Sequence, residues 1–188
     1  NMDMRPFKQP SQTFGPYDAG APKVAPDTST PARCTAVAIE NAIRRDALET
    51  GVFIAADGRE LLRRQGTPDR VAFTHSELLA IRGTTFTHNH PGGAGFSVDD
   101  FSLASEFGLA ELRAVTLEFR HMASGIPLLQ SAQWLRAYAA AEAQIAPAMV
   151  EKVRLGEFHP KDFGYEVRHR AWSSLAQSFK FWYTREKS

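Results

Sequence analysis

Residues 84–108, TTFTHNHPGGAGFSVDDFSLASEFG, constrain the fold of this chain more than any other stretch. Thr84–Thr87 are β-branched or aromatic and predict a buried strand. Pro91, Gly92, Gly93 and Gly95 then supply the residues of a turn. Ser97 stands where a helix N-cap belongs, and Asp99 and Asp100 place carboxylates against the positive end of the helix that follows. That helix is expected from Val98 to Phe107, with Gly108 ending it. A buried strand therefore turns directly into a capped helix, with His88 and His90 at the corner.

The surrounding 188 residues suit one domain with an arm. An apolar content of 43% and a formal net charge of +1 describe an ordinary globular protein and exclude a disordered tail or a strongly basic nucleic-acid binder. One cysteine, Cys34, excludes an internal disulfide framework and a multi-cysteine zinc site. No apolar run approaches the length of a membrane span and no signal-peptide pattern opens the chain, so no membrane association is expected and export would need a carrier. Residues 1–33 hold six of the eleven prolines. They read as an extended, Pro-rich arm or linker, packed locally by Phe7, Phe14 and Tyr17, ahead of a domain at 34–188.

Periodicity begins at Thr35, an expected N-cap, and Ile39, Ile43 and Ala47 predict a helix to about Leu48. GVFIAADGREL reads as two strands joined at Asp57-Gly58. VAF (71–73) is a short strand. Thr74 and Glu77 have capping-box spacing for a helix over 75–81, closed by Gly83. LRAVTLEF (112–119) alternates and is expected to pair with IPLL (126–129) across Ser124-Gly125. Residues 131–153 predict a helix that buries Trp134, Leu135, Tyr138 and Ile145, with Pro147 as a break or kink. A helix near 166–178 and a strand, FKFWYT, complete a mixed α+β domain in which a small central sheet is flanked by helices.

Residues two apart on a strand share a face, so His88 and His90 can present two imidazoles to one point. Zinc takes such nitrogen ligands with a third donor and keeps one position open. Asp100, on the first turn of the next helix, is the expected third ligand. A general base must accept a proton from water activated there, and Glu49, before the preceding strand, is best placed. Ser97 can assist by hydrogen-bonding an oxyanion. The plainer reading is a lone H-x-H beside a well-capped helix.

Taken together, Glu49…His88-Asn89-His90-Pro91…Ser97-Val98-Asp99-Asp100 resembles the JAB/MPN (JAMM) metallohydrolase signature, E…H-x-H-P…S-x-x-D, and its RadC-type branch. The resemblance implies a JAB/MPN-like fold, zinc on His88, His90 and Asp100, Glu49 as acid/base, Ser97 assisting, and hydrolysis of peptide or isopeptide bonds. The segment between His90 and Ser97 is one residue shorter than the JAMM pattern, so Asp99 competes with Asp100. Glu40 likewise competes with Glu49. Residues 48–115 also resemble a domain appended to phage Mu-type head-morphogenesis proteins and bacterial polymorphic toxins. That implies a toxin-type effector joined by a linker to a delivery carrier, secreted or delivered into a target cell, acting in its cytoplasm on a protein substrate and paired with an immunity protein.

Two alternatives stand beside the hydrolase. The same histidines and Glu49 would act without metal on NAD or nucleic acid, as a transferase or nuclease, or the chain would be a binding module with a degenerate site. His169 and Trp172, one helical turn apart, form a candidate second patch. The basic, aromatic tail (Arg168, His169, Arg170, Lys180, Phe181, Trp182, Tyr183, Arg185) could serve nucleic acid by stacking and phosphate contact, but charged residues interleaved with aromatics are better read as an ordinary exposed strand. His75 and His121 are expected at the surface. No nucleotide-binding glycine fingerprint occurs.

Overall fold

A computed structural model describes residues 4–8 and 22–188. Their elements run β1 (Met4–Lys8), α1 (Pro31–Ile43), β2 (Thr50–Ile54), β3 (Glu60–Gln65), β4 (Arg70–Thr74), α2 (His75–Leu79), β5 (Thr85–Asn89), α3 (Val98–Phe107), β6 (Glu111–Val115), β7 (Phe119–Ser124), α4 (Ser131–Arg154), a 3-10 turn at Pro160–Asp162, α5 (Phe163–Phe179) and β8 (Trp182–Lys187). Six strands form one sheet in the order β3-β2-β5-β6-β7-β8, and β1 pairs with β4 in a second, two-stranded sheet. Every neighbouring pair in the larger sheet is antiparallel except β5–β6. A parallel pair needs a crossover, and α3 supplies it. The protein is a single α+β domain built on a mixed sheet.

Strand alternation sends two sets of side chains to opposite faces of the sheet. Phe53, Phe86, Leu112 and Ala123 face α3, α4 and α5, where Phe101 stacks on Trp172 with ring centroids 3.9 Å apart beside Trp134 and Tyr138. Val52, Ile54 and Val115 face α1, which lays Ala32, Ala36, Ile39 and Ile43 against them. Under α1 the apolar contact is interrupted by a buried ionic cluster. Glu40 accepts Arg113 Nε at 2.7 Å and Nη2 at 3.0 Å, Arg120 Nε at 3.0 Å and the Thr87 hydroxyl at 2.7 Å. The charges compensate each other where water cannot, so α1 is fixed in register as well as in distance.

Several boundaries differ from the sequence expectations. Helix α1 starts at Pro31, capped by Thr30, because proline is pre-set for the first helical turn and the Thr30 hydroxyl accepts the Arg33 N–H at 3.2 Å. Thr35 instead lies inside the helix and donates to the Gly58 carbonyl at 2.7 Å. The helix ends at Ile43, not Leu48. Part of the expected arm is also structured, since residues 4–8 form β1 against β4. Phe14 and Tyr17 lie outside the described residues.

Residues 112–119 are not one strand. The Thr116 hydroxyl accepts the N–H groups of Glu118 at 3.3 Å and Phe119 at 3.1 Å, a side-chain-to-backbone turn that folds the chain back into β7. Residues 126–129 therefore form no strand. Pro147 leaves α4 continuous, and Leu135 is exposed. The last strand is β8, starting three residues later than FKFWYT suggests, because Lys180 ends α5 in the left-handed conformation with φ of 57°.

Candidate metal centre

Three elements converge at the end of β5. Ladder pairing puts Gly51, His88 and Ala114 in one row across the sheet, and His90 follows two residues on, its N–H held by the Val115 carbonyl at 2.9 Å. Glu49 directly precedes β2, in step with Gly51, and so shares that face. The chain turns at Gly93, whose φ of 85° suits glycine. Helix α3 then opens with a capping box: Ser97 Oγ accepts the Asp100 N–H at 3.1 Å, and Asp100 Oδ2 accepts the Ser97 N–H at 3.0 Å. The cap that starts the helix thereby aims Asp100 back at the histidines.

The four side chains are sealed from solvent, with Glu49, His88 and Asp100 at 0% exposure and His90 at 2%. Nε2 of His88 stands 2.8 Å from Nε2 of His90. Asp100 Oδ1 is 3.3 Å from the first and Oδ2 is 3.6 Å from the second, while Glu49 Oε1 is 3.9 Å from His88 Nε2. Glu49, His88 and His90 form a group that can hold a metal ion, their ligand atoms all within 4.8 Å of one another.

Each ring is oriented from behind. His88 Nδ1–H donates to the Arg113 carbonyl at 2.7 Å and His90 Nδ1–H to the Ala94 carbonyl at 2.8 Å. A carbonyl only accepts, so these bonds place the ring proton on Nδ1 and turn the lone pairs of both Nε2 atoms toward each other. Burial and the neighbouring His88 push the His90 pKa down to about 4, which keeps that ring neutral. Burial first, then Asp100 and Asp69, push the Glu49 carboxyl up to about 10. Burial disfavours the charged form of Asp100, and the Ser97 amide that donates to its carboxylate works against that burial. Both carboxyl oxygens of Glu49 and Oδ1 of Asp100 are buried without a hydrogen-bond partner among the described residues. Leaving such atoms unmet costs roughly 1–3 kcal/mol each. Two facing imidazole lone pairs and two carboxyl groups are a donor set that a divalent cation satisfies at once.

Other candidates fall elsewhere. Glu40 belongs to the ionic cluster under α1, on the opposite face of the sheet from His88. Asp99 is exposed on α3 whereas Asp100 is buried. Trp172 is a core residue, its indole N–H donating to the Phe96 carbonyl at 2.9 Å, and His169 Nδ1 meets the Tyr183 hydroxyl at 2.9 Å. In the basic tail, Arg185 pairs with Glu166 at 2.8 Å and lies over the Phe119 ring, while Arg168 Nη1 donates to the Phe96 carbonyl at 2.9 Å. These cations are thus already engaged inside the fold.

His121 is not at the surface. It is buried on β7 in the same row as His88 and Ala114, lies under Gly95, and both its ring nitrogens lack a hydrogen-bond partner among the described residues. Alternation through Phe119, His121 and Ala123 is the signal that could have located it.

No protein family, curated protein or solved structure compared with this chain matches it.

Proposed function

We propose that this protein is a zinc-dependent hydrolase of amide or isopeptide bonds with a JAB/MPN-like site. The observation that carries this reading is the 2.8 Å approach of the two Nε2 atoms of His88 and His90 with Asp100 against both. In this reading His88, His90 and Asp100 hold the zinc and Glu49, the more distant carboxyl group, moves protons. The order Glu49, His88-x-His90-Pro91, Ser97-x-x-Asp100 supports it, because residues distant in sequence meet at one point and their spacing follows the JAMM pattern but for one residue. The shorter segment still ends in a capping box that directs Asp100 at the histidines.

Zinc bound there supplies Lewis acidity, lowering the pKa of water and polarising a carbonyl. The chain supplies the rest. The Arg113 and Ala94 carbonyls fix the imidazoles in the tautomer whose Nε2 is a donor pair. Glu49, whose carboxyl burial keeps protonated in the metal-free centre, would be returned to its charged form by the adjacent cation; Oε1 would then accept the proton of the attacking water and return it to the nitrogen of the cleaved bond, so that water is consumed and a carboxylate and an amine are released. Ser97 Oγ accepts the Asp100 N–H and retains its own O–H to donate to an oxyanion. The segment 91–96 is tied to α5: Tyr165 donates to the Gly92 carbonyl at 3.2 Å, and Arg168 and Trp172 hold the Phe96 carbonyl.

The likeness of residues 48–115 to effector domains supports a toxin-type role on a protein substrate in a target cell. Metal analysis of the purified protein tests the chemistry. Near-stoichiometric zinc, lost in His88→Ala, and chelator-sensitive hydrolysis are expected. A metal-free protein that is toxic and indifferent to chelator would overturn the reading in favour of metal-independent action on NAD or nucleic acid.

A further inference from the structure

Asn89, between the two histidines, projects to the opposite face of β5. Its carboxamide is wholly buried and used at both ends. Oδ1 accepts the Thr50 N–H at 2.7 Å, and Nδ2 donates to the Leu48 carbonyl at 3.0 Å, with a longer contact to the Asp46 carbonyl at 3.4 Å. A backbone N–H only donates and a carbonyl only accepts, so these partners leave one orientation for the amide. Leu48 and Thr50 are the residues on either side of Glu49.

The β2–β5 ladder ends at Gly51 opposite His88. Asn89 carries it one residue further with a side chain, after the two backbones have parted. From the other side, the Glu49 N–H donates to the Thr67 carbonyl at 2.9 Å and its carbonyl accepts the Gly66 N–H at 2.7 Å. The backbone of Glu49 is therefore gripped from both sides while its carboxyl oxygens have no hydrogen-bond partner among the described residues. With no side-chain bond to orient it, the carboxyl group is aimed by its backbone.

We propose that Asn89 is the positioning residue for Glu49, stapling its two flanking peptide groups to the strand that bears both histidines. This rests on the reading of Glu49 as the proton carrier. The staple needs an acceptor and a donor on one short planar group. Aspartate lacks the donor and would set a carboxylate against the Leu48 carbonyl, glutamine is a methylene too long, and alanine offers neither bond. The residue between the histidines thus sets the distance between the metal ligands and the acid/base.

The test uses the full chain and needs no substrate for its first two readouts. In the metal-free protein, Asn89→Ala is expected to speed hydrogen exchange at the Thr50 amide about tenfold, the loss of one ordinary hydrogen bond. In the cobalt-loaded protein, Asn89→Asp, which keeps volume and one acceptor, is expected to bind cobalt at the parent's stoichiometry while the paramagnetic shift of the Glu49 side chain changes. Unchanged Thr50 exchange together with an unchanged Glu49 shift would overturn the proposal. A third readout is zinc-dependent cleavage of a fluorogenic peptide bearing a glycyl-ε-lysine isopeptide bond. Loss in both Asn89→Asp and Glu49→Gln, at unchanged zinc content, is the expected result. If Glu49→Gln were inactive and Asn89→Asp fully active, the positioning role alone would fall; if Glu49→Gln cleaved like the parent, the reading of Glu49 would fall with it.

Discussion

Two imidazole nitrogens 2.8 Å apart, each with its proton committed to a carbonyl behind it, are an arrangement that a bare protein holds only at a cost. Zinc is therefore expected to stabilise the fold, raising the melting temperature by mass action as its concentration passes the dissociation constant. His88→Ala and Asp100→Asn should each weaken zinc binding at least tenfold by calorimetry, on the order of one lost ligand or orienting group. An unchanged affinity in both would rule out the assigned ligand set. Glu40 gives a contrasting expectation, because it serves structure and not the site. Glu40→Ala leaves Arg113 and Arg120 buried beside a vanished charge and should destabilise by roughly 3–5 kcal/mol in denaturant titrations, with zinc stoichiometry retained in the folded fraction.

Between β5 and α3 the chain makes its turn under the side chain of Tyr165. A Cβ on Gly93 would stand 2.5 Å from the Tyr165 hydroxyl oxygen, at a φ of 85°. Gly93→Ala is accordingly expected to destabilise by about 1–2 kcal/mol from the backbone alone, and more where Tyr165 cannot give way. A melting temperature at or above the parent's would contradict that. This unit was largely legible in the sequence, since a β-branched strand, a glycine turn and a Ser-capped helix are each local signals. The β6–β7 hairpin was not. Its turn depends on the Thr116 hydroxyl capturing two N–H groups, and an alternating pattern from Leu112 to Phe119 conceals such a reversal. The start of α1 was misplaced for a similar reason, as Thr30 with Pro31 outcompetes Thr35, which the fold uses to tie the helix to Gly58.

Across the whole molecule, buried histidines set the acid limit of stability. His169 is pushed down to about 4, by burial first and then by Arg185, and His121 is held well below its ordinary value for the same two reasons. The unfolded rings take up protons near pH 6.5, while the folded rings do not until much lower. The contribution of these two rings to stability is therefore full above pH 6.5 and falls as pH drops toward 4. The Glu77 carboxylate, held down to about 2 by Arg64, acts in a lower window: its contribution persists above pH 4.5 and is lost as pH falls through about 2. His121→Phe, between the rings of Phe96 and Phe119, should therefore gain stability relative to the parent as pH falls from 7.5 to 5, read as the difference between their urea midpoints. A difference between the two midpoints that does not change with pH over this range would count against a buried neutral His121.

Short-range patterns were enough to place His88 and His90 on one face of a strand, Ser97 at a helix start and Asp100 on the first helical turn, because strand period, turn chemistry and capping act over a few residues. They left Glu40 against Glu49 and Asp99 against Asp100 open. Folding separated those pairs: Glu40 went under α1 to meet Arg113 and Arg120, and Asp99 went to solvent, while Glu49 and Asp100 were buried beside the imidazoles. Such choices depend on which charges find partners once water is excluded, and that is settled by long-range pairing of β2, β5, β6 and β7, not by any local run of residues.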